Sequence, residues 1–218
     1  MNKDKIREFF DELAPAWDND MVIDKKIMNL ILDNAKIEAG HDVLDVACGT
    51  GVMIPFYLSR NVNSVTGVDF SVRMCEEASA KFHDERVTII CSDIDDFKPD
   101  KTFDNIIIYN SFPHFIDPGK LIIHLTGLLK DNGYLSIAHG ASRERINSCH
   151  SNISDDIKCE LMKIEELSSM MSRYLDVTVT ISDDTMYQIV GRKKGLCKLP
   201  WIRPKRLNLP VGLFLYTG

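Results

Sequence analysis

From about residue 42 to residue 191 short apolar runs alternate with amphipathic segments of helical period, and no other feature narrows the possible folds as far. Strand, helix and strand in that order pack as βαβ units, which build a mostly parallel sheet with helices on its faces. The apolar runs predict strands at 42–47, 64–69, 87–91, 103–110, 133–139, 175–182 and 186–191. Leu121, Leu125, Leu128 and Leu129 form one helical stripe, and Ile157, Leu161, Ile164 and Met171 another. Ahead of the first strand, Ile27, Leu30, Ile31 and Ala35 form a third within a helical region expected at 5–39 and stopped by Gly40. Only Asp183, Asp184 and Thr185 separate the last two strands, so they should form an antiparallel hairpin at one sheet edge.

This divides the chain into an N-terminal helical segment (1–40), an α/β domain (41–194) and a tail (195–218). The tail holds Pro200, Pro204 and Pro210, has no periodicity and receives no element. At 218 residues and 44% hydrophobic content the chain can bury a full core without disulfides or metals. The formal charge is −6, but the seven basic residues from Arg192 onward face no acid, which leaves 19 basic against 32 acidic residues upstream. So acidic a body repels a phosphate backbone, and nucleic acid is not expected as a substrate. Six cysteines without a C-x-x-C pair and a charged start fit a reducing cytoplasm. The most apolar stretch, 207–216, is broken by Pro210 and too short to span a bilayer.

The chemistry concentrates where strands end. Val43-Leu44-Asp45-Val46-Ala47-Cys48-Gly49-Thr50-Gly51 runs from an apolar strand into a glycine turn and then a helix. Small residues there let a ligand approach the backbone, and free amides at a helix start favour negative charge. A nicotinamide fingerprint needs G-x-G-x-x-G, and Ile54 stands at its third position. The second strand ends at Asp69, 20 residues after Gly49, where a carboxylate can accept both hydrogen bonds of a ribose diol or cap the next helix, a task Ser71 could share. The third ends in Asp93-Ile94-Asp95-Asp96, and the fourth in Tyr109-Asn110-Ser111-Phe112-Pro113-His114.

The segment D-V-A-C-G-T-G resembles motif I of the class I S-adenosylmethionine-dependent methyltransferases, and the resemblance runs from about Phe9 to Lys193. Ala47 stands where that family often has glycine. The resemblance implies an α/β fold: a three-layer, doubly wound, Rossmann-like sheet of seven strands, the last antiparallel. S-adenosylmethionine is the implied cofactor, bound along the carboxyl ends of strands one to three. Gly49 and Gly51 would line its methionine end, with Asp45 facing the ammonium group, and Ala47 and Cys48 would also contact the cofactor. Asp69 would take the ribose, Phe70 and Ile94 the adenine ring, and Asp93 the adenine amino group, leaving Asp95 and Asp96 as a solvated face. Asn110 and the loop after it would border cofactor and acceptor. That loop lacks N-P-P-Y, which disfavours methylation of a DNA base.

Phe9-Phe10-Asp11-Glu12-Leu13-Ala14-Pro15-Ala16-Trp17-Asp18 is similar to the N-terminal lid of ubiquinone- and menaquinone-type methyltransferases. Trp17 would cover the sulfonium, an aromatic face over a cation contributing about 0.5–2 kcal/mol. A docking helix with core-filling aromatics is the other reading.

Three histidines, His114, His139 and His150, with Arg143, are expected at one rim of the sheet, where a neutral imidazole could take a proton from an acceptor. They could equally hold zinc with Cys149 or a water, although spacings of 25 and 11 residues match no metal motif, or serve structure alone. Arg143 would clamp an anionic acceptor or simply cap a surface. The expected reaction is methyl transfer to oxygen, sulfur, nitrogen or carbon of a small molecule. The rivals are a nicotinamide oxidoreductase, a non-catalytic cofactor-binding regulator, and metal-assisted transfer. A quinone-like acceptor would call for contact with a membrane surface, through Trp201, Leu213, Phe214 and Tyr216 beside Lys205 and Arg206.

Overall fold

The computed structural model describes residues 2–19, 21–149 and 160–195. Seven strands, β1 (Asp42–Val46), β2 (Ser64–Asp69), β3 (Val87–Cys91), β4 (Phe103–Tyr109), β5 (Leu129–His139), β6 (Leu175–Ser182) and β7 (Tyr187–Lys193), form one sheet in the order β3-β2-β1-β4-β5-β7-β6. β1 to β5 are parallel, and β7 lies antiparallel between β5 and β6. The chain winds one way from β1 through β2 to β3 and then returns to β4 on the other side of β1. This is the doubly wound, Rossmann-like arrangement expected, with its topological switch point between β1 and β4.

Alternate residues of each strand feed opposite layers, because strand side chains point to opposite faces. Leu44, Val46, Ile106, Ile108, Leu135 and Ile137 enter a core with helices α5 (Pro118–Leu128) and α7 (Ile164–Met171). Val43, Val65, Ile107 and Ala138 enter a second core with α2 (Lys25–Asn34) and α3 (Ile54–Ser59). The remaining helices are α1 (Lys3–Leu13), α4 (Val72–Lys81) and α6 (Arg143–Cys149).

Four expectations are corrected. The N-terminal region is not continuously helical: α1 passes into a 3-10 turn at Ala14–Ala16, and α2 restarts only at Asp24, whose carboxylate caps it by accepting from Lys26 N and Ile27 N at 2.8 and 3.2 Å. Its stop is not Gly40 but Asn34, with Lys36 in the left-handed region at φ 58°, while Gly40 donates its N–H to Asn61 O at 2.9 Å in the following turn. Leu30 is exposed, and the buried face of α2 is Met28, Ile31 and Leu32. Leu129 belongs to β5 rather than to the helix: it pairs with Phe103, and the strand continues through Asn132 (φ 66°) to Gly133, where a Cβ would lie 2.8 Å from Asp104 O. Leu161 is buried ahead of α7, and Ile157 lies outside the described residues, as do residues 196–218 with the expected membrane-contact positions. No described helix is long and apolar enough to cross a membrane.

Candidate functional site

A cavity of about 550 Å³ opens over the carboxyl ends of the central strands. At the tip of β1 it is lined by Ala47, Cys48 and Gly49. Ala47 and Gly49 both take left-handed backbone, at φ 53° and 55°, to turn the chain away from the sheet. A Cβ on Gly49 would meet only Met74 Sδ at 3.9 Å, so this glycine leaves open space. Gly51 serves a different need and does not line the cavity: a Cβ there would come within 2.5 Å of the Phe82 ring, so its absence lets the turn pack on the end of α4. No residue of α3 lines the cavity either, because the helix starts three residues beyond Gly51.

Asp45 also lies away from the lining, only 2% exposed beside Tyr57. Burial, reinforced by the Asp69 carboxylate, pushes its carboxyl up to about 8, with the Tyr57 hydroxyl pulling the other way. The structure does not bring it to the cavity lining as expected, because odd positions of β1 point toward the α2–α3 core, although its Oδ2 is buried with no hydrogen-bond partner among the described residues.

At the tip of β2, Asp69 lines the cavity while 6% exposed. Its Oδ2 accepts from Gly49 N at 2.8 Å and its Oδ1 from Ser71 N at 2.9 Å. A carboxylate has about four acceptor directions, so each oxygen keeps capacity for a further donor. Burial raises its pKa, and the backbone N–H groups of Ser71, Gly49 and Phe70 pull it down. The helix cap is Ser71, whose Oγ accepts from Met74 N at 3.1 Å, which frees Asp69 for the cavity. Phe70 lines the cavity next to it.

At the tip of β3, Ser92, Asp93, Ile94 and Asp95 complete that wall. Lys3 Nζ bridges Asp93 Oδ2 at 2.5 Å and Asp95 Oδ2 at 2.6 Å, which draws Asp95 into the site, whereas Asp96 is exposed away from it. At the tip of β4, Asn110 has φ 54° and its Oδ1 accepts from Gly140 N at 3.0 Å, tying the ends of β4 and β5 together. Tyr109, Asn110, Ser111 and His114 line the opposite wall, and Ser111 Oγ is buried with no hydrogen-bond partner among the described residues.

The histidine rim is not assembled as expected. His114 lines the cavity, with its ring edge-on to Phe10 at 5.1 Å between centroids. His139 is buried against Tyr187, 6.0 Å between centroids, and outside the lining. Arg143 does not reach the cavity: its Nε donates to Leu161 O at 2.7 Å and so holds backbone. His150 lies outside the described residues. Among the described residues no group of three His, Cys, Asp or Glu side chains is gathered as a metal would need.

The N-terminal segment covers the site. Ile6, Phe10 and Trp17 line the cavity, and Trp17 packs edge-on to Phe10 at 5.7 Å. Met21, Val22, Ile23 and Met28 extend this apolar wall. No local signal in the sequence marks these four, Tyr109, or the polar partners Lys3, Asp11 and Thr50, since the contacts bring together residues far apart in the chain.

A doubly wound sheet thus brings an open glycine turn at β1, an acid at β2 and an acid-flanked apolar residue at β3 to one cavity. In comparison with known proteins, residues 44–137 match the methyltransferase domain family. The relatives and solved structures that the chain resembles are methyltransferases, S-adenosylmethionine-dependent ones among them. The chain is 28% identical over 141 residues to malonyl-acyl-carrier-protein O-methyltransferase of Acetivibrio thermocellus, covering 63% of this chain and 50% of that one. It is 27% identical over 141 residues to demethylmenaquinone methyltransferase of Paenarthrobacter aurescens, covering 62% and 54%. The chain thus spans about half the length of these curated relatives. Its fold matches the solved N-methyltransferase NodS of Bradyrhizobium japonicum in complex with S-adenosyl-L-homocysteine, with a TM-score of 0.67 and 13% identity over 87% of this chain and 97% of that one.

Proposed function

We propose that this protein transfers the methyl group of S-adenosylmethionine to a small-molecule acceptor bound in the same cavity. One observation carries the reading: the tips of β1, β2, β3 and β4 present their ligand-facing groups to one enclosed space. Asp69 would accept from the ribose hydroxyls through the free capacity of its two oxygens. Asp93 and Ile94 would receive the adenine, beside Phe70, and the backbone of Ala47, Cys48 and Gly49 the methionine end. The cofactor, when bound, supplies an activated methyl on a sulfonium.

The protein's own task is then to exclude water and align the acceptor with that methyl, which can supply much of the rate. Ile6, Phe10, Met21 and Met28 line the cavity and would keep water from it, and Tyr109, Ser111 and His114 offer hydrogen-bonding groups to orient the nucleophile. His114 is the imidazole placed to take a proton there. Relatives named for coclaurine and demethylmenaquinone support a small-molecule acceptor, and those named for malonyl-acyl-carrier protein add a small group borne on a carrier protein.

The test is calorimetry followed by mass spectrometry. S-adenosylmethionine and S-adenosylhomocysteine should bind, Asp69→Ala should weaken both at least tenfold with the fold retained, and an acceptor from a metabolite panel should gain one methyl group. Tight binding with no methylated product across the panel would favour a cofactor-binding regulator instead.

A further inference from the structure

The cover over the cavity is fastened at three places, and each fastening reaches a different strand tip. Lys3, at the start of α1, bridges Asp93 and Asp95 after β3. Asp11, near its end, accepts from Ser71 Oγ at 2.6 Å and from Arg73 N at 3.1 Å, so its carboxylate sits on the first turn of α4, directly after Asp69. A carboxylate there also meets the positive end of the helix dipole. Asp18 accepts from Thr50 Oγ1 at 2.6 Å, inside the glycine turn after β1, while its other oxygen takes Lys81 Nζ at 2.6 Å. Between these fastenings the segment presents Ile6, Phe10 and Trp17 to the cavity. The charged groups thus hold the three loops assigned to the cofactor, and the apolar groups close the space they enclose.

We propose that Asp11 and Asp18 are positioning residues for the cofactor, and that residues 3–18 form a three-point clamp which must part for the cofactor to enter or leave. The proposal rests on the site assigned above. Neither carboxylate lines the cavity; each acts through the loop it holds. The Lys3 and Lys81 pairs are partly exposed, so dissolved salt competes with them. The clamp therefore sets the residence time of the cofactor more than the shape of its pocket.

The experiment measures dissociation of S-adenosylhomocysteine from the full chain by stopped-flow fluorescence. Asp11→Ala and Asp18→Ala should each speed release by roughly tenfold, the scale of one charge-assisted hydrogen bond. Asp11→Asn, which keeps an acceptor for Ser71, should restore a near-native rate, and Asp18→Asn, which keeps Thr50 but loses the charge for Lys81, should fall between. Rising salt should speed release from the parent and do so less in Lys3→Met. In the unaltered protein S-adenosylhomocysteine should also slow tryptic cleavage at Lys5 and Arg7. Parental release rates in both alanine variants, or cleavage indifferent to ligand, would overturn the clamp. If Asp69→Ala still weakens binding, the site stands without it; if Asp69→Ala binds normally, the site assignment itself has failed.

Discussion

Ala47, Gly49 and Gly51 share a left-handed backbone within five residues, yet they meet different demands. At Gly51 the obstacle is the Phe82 ring, so Gly51→Ala combines backbone strain with a clash and should cost roughly 2–4 kcal/mol of stability. At Gly49 the space is open, and Gly49→Ala should cost about 1 kcal/mol in stability while lowering cofactor affinity, since its Cβ would enter the cavity wall. Denaturant unfolding beside calorimetric titration separates the two, and equal affinity loss in both variants would contradict the division. The motif displays both glycines but not this difference, because Phe82 lies 31 residues from Gly51. Asp45 departs from its expected place for a related reason: a motif gives residue order, while only the strand's facing decides which side meets a ligand. Its raised pKa carries a pH signature. The folded state holds a proton that the unfolded chain releases above pH about 4, so folding stability should fall as pH rises from about 4 to about 8. Burial of Asp69 acts in the same direction. Asp45→Asn should flatten that slope and gain on the order of a few kcal/mol at pH 8, each tenfold change in proton affinity being worth about 1.4 kcal/mol. Urea unfolding from pH 5 to 8 would show it, and parallel slopes in the two proteins would refute it.

Strands proved the most legible elements, for a physical reason: β1, β2 and β4 are buried on both faces, so their apolar runs stand out from the polar turns around them. The hairpin of β6 and β7 was legible from its short connection, expected at three residues and observed at four, 183–186. What the sequence hid were ends governed by distant partners. The first residue of β5 pairs with Phe103, and Asp24 caps a helix inside a stretch whose periodicity reads as continuous. One distant arrangement fastens the amino ends of the strands, opposite the cavity. Lys130 Nζ bridges Asp42 Oδ2 at 2.9 Å and Asp104 Oδ2 at 2.8 Å, and Asp104 also takes the N–H of Asp42 at 2.8 Å. Burial opposes ionisation of Asp42, but hydrogen bonds from Lys130, Ser64 and Asn63 outweigh it and hold its carboxyl well below the usual range. Stability from this group is present above pH about 4 and lost as pH falls further. Lys130→Met should leave two neighbouring carboxylates without their shared cation and cost about 1 kcal/mol at pH 7, the lysine being partly exposed. The loss should shrink as pH falls from about 4 toward 3, where Asp42 takes up a proton on unfolding. A cost that stays constant across that range would assign the effect to packing of the lysine stem instead.

At the scale of the molecule, strand–helix alternation predicts a mostly parallel sheet and the family resemblance its doubly wound layers and an N-terminal lid, while neither predicts the partners that fasten that lid. The N-terminal segment touches the body through side chains spaced along the whole of residues 3–18, and no local periodicity encodes partners at 50, 71, 81 and 93. Its dependence on the body has a measurable consequence. A ligand held between the strand tips and the segment binds only the folded chain, so it stabilises by mass action, by about 2.7 kcal/mol at a hundredfold excess over Kd. For a protein of this size each kcal/mol moves the melting temperature by about 2–4 °C, so saturating S-adenosylhomocysteine should raise it by roughly 5–10 °C. NADH at the same concentration should leave it unchanged, since Ile54 occupies the place of the third glycine that a nicotinamide dinucleotide fold uses. Asp69→Ala should cut the rise by about half or more, the effect of an at least tenfold loss of affinity, whereas Gly51→Ala should lower the starting temperature yet keep the increment, because its clash lies outside the cavity. An increment with NADH, or one undiminished by loss of Asp69, would place the ligand elsewhere on the molecule.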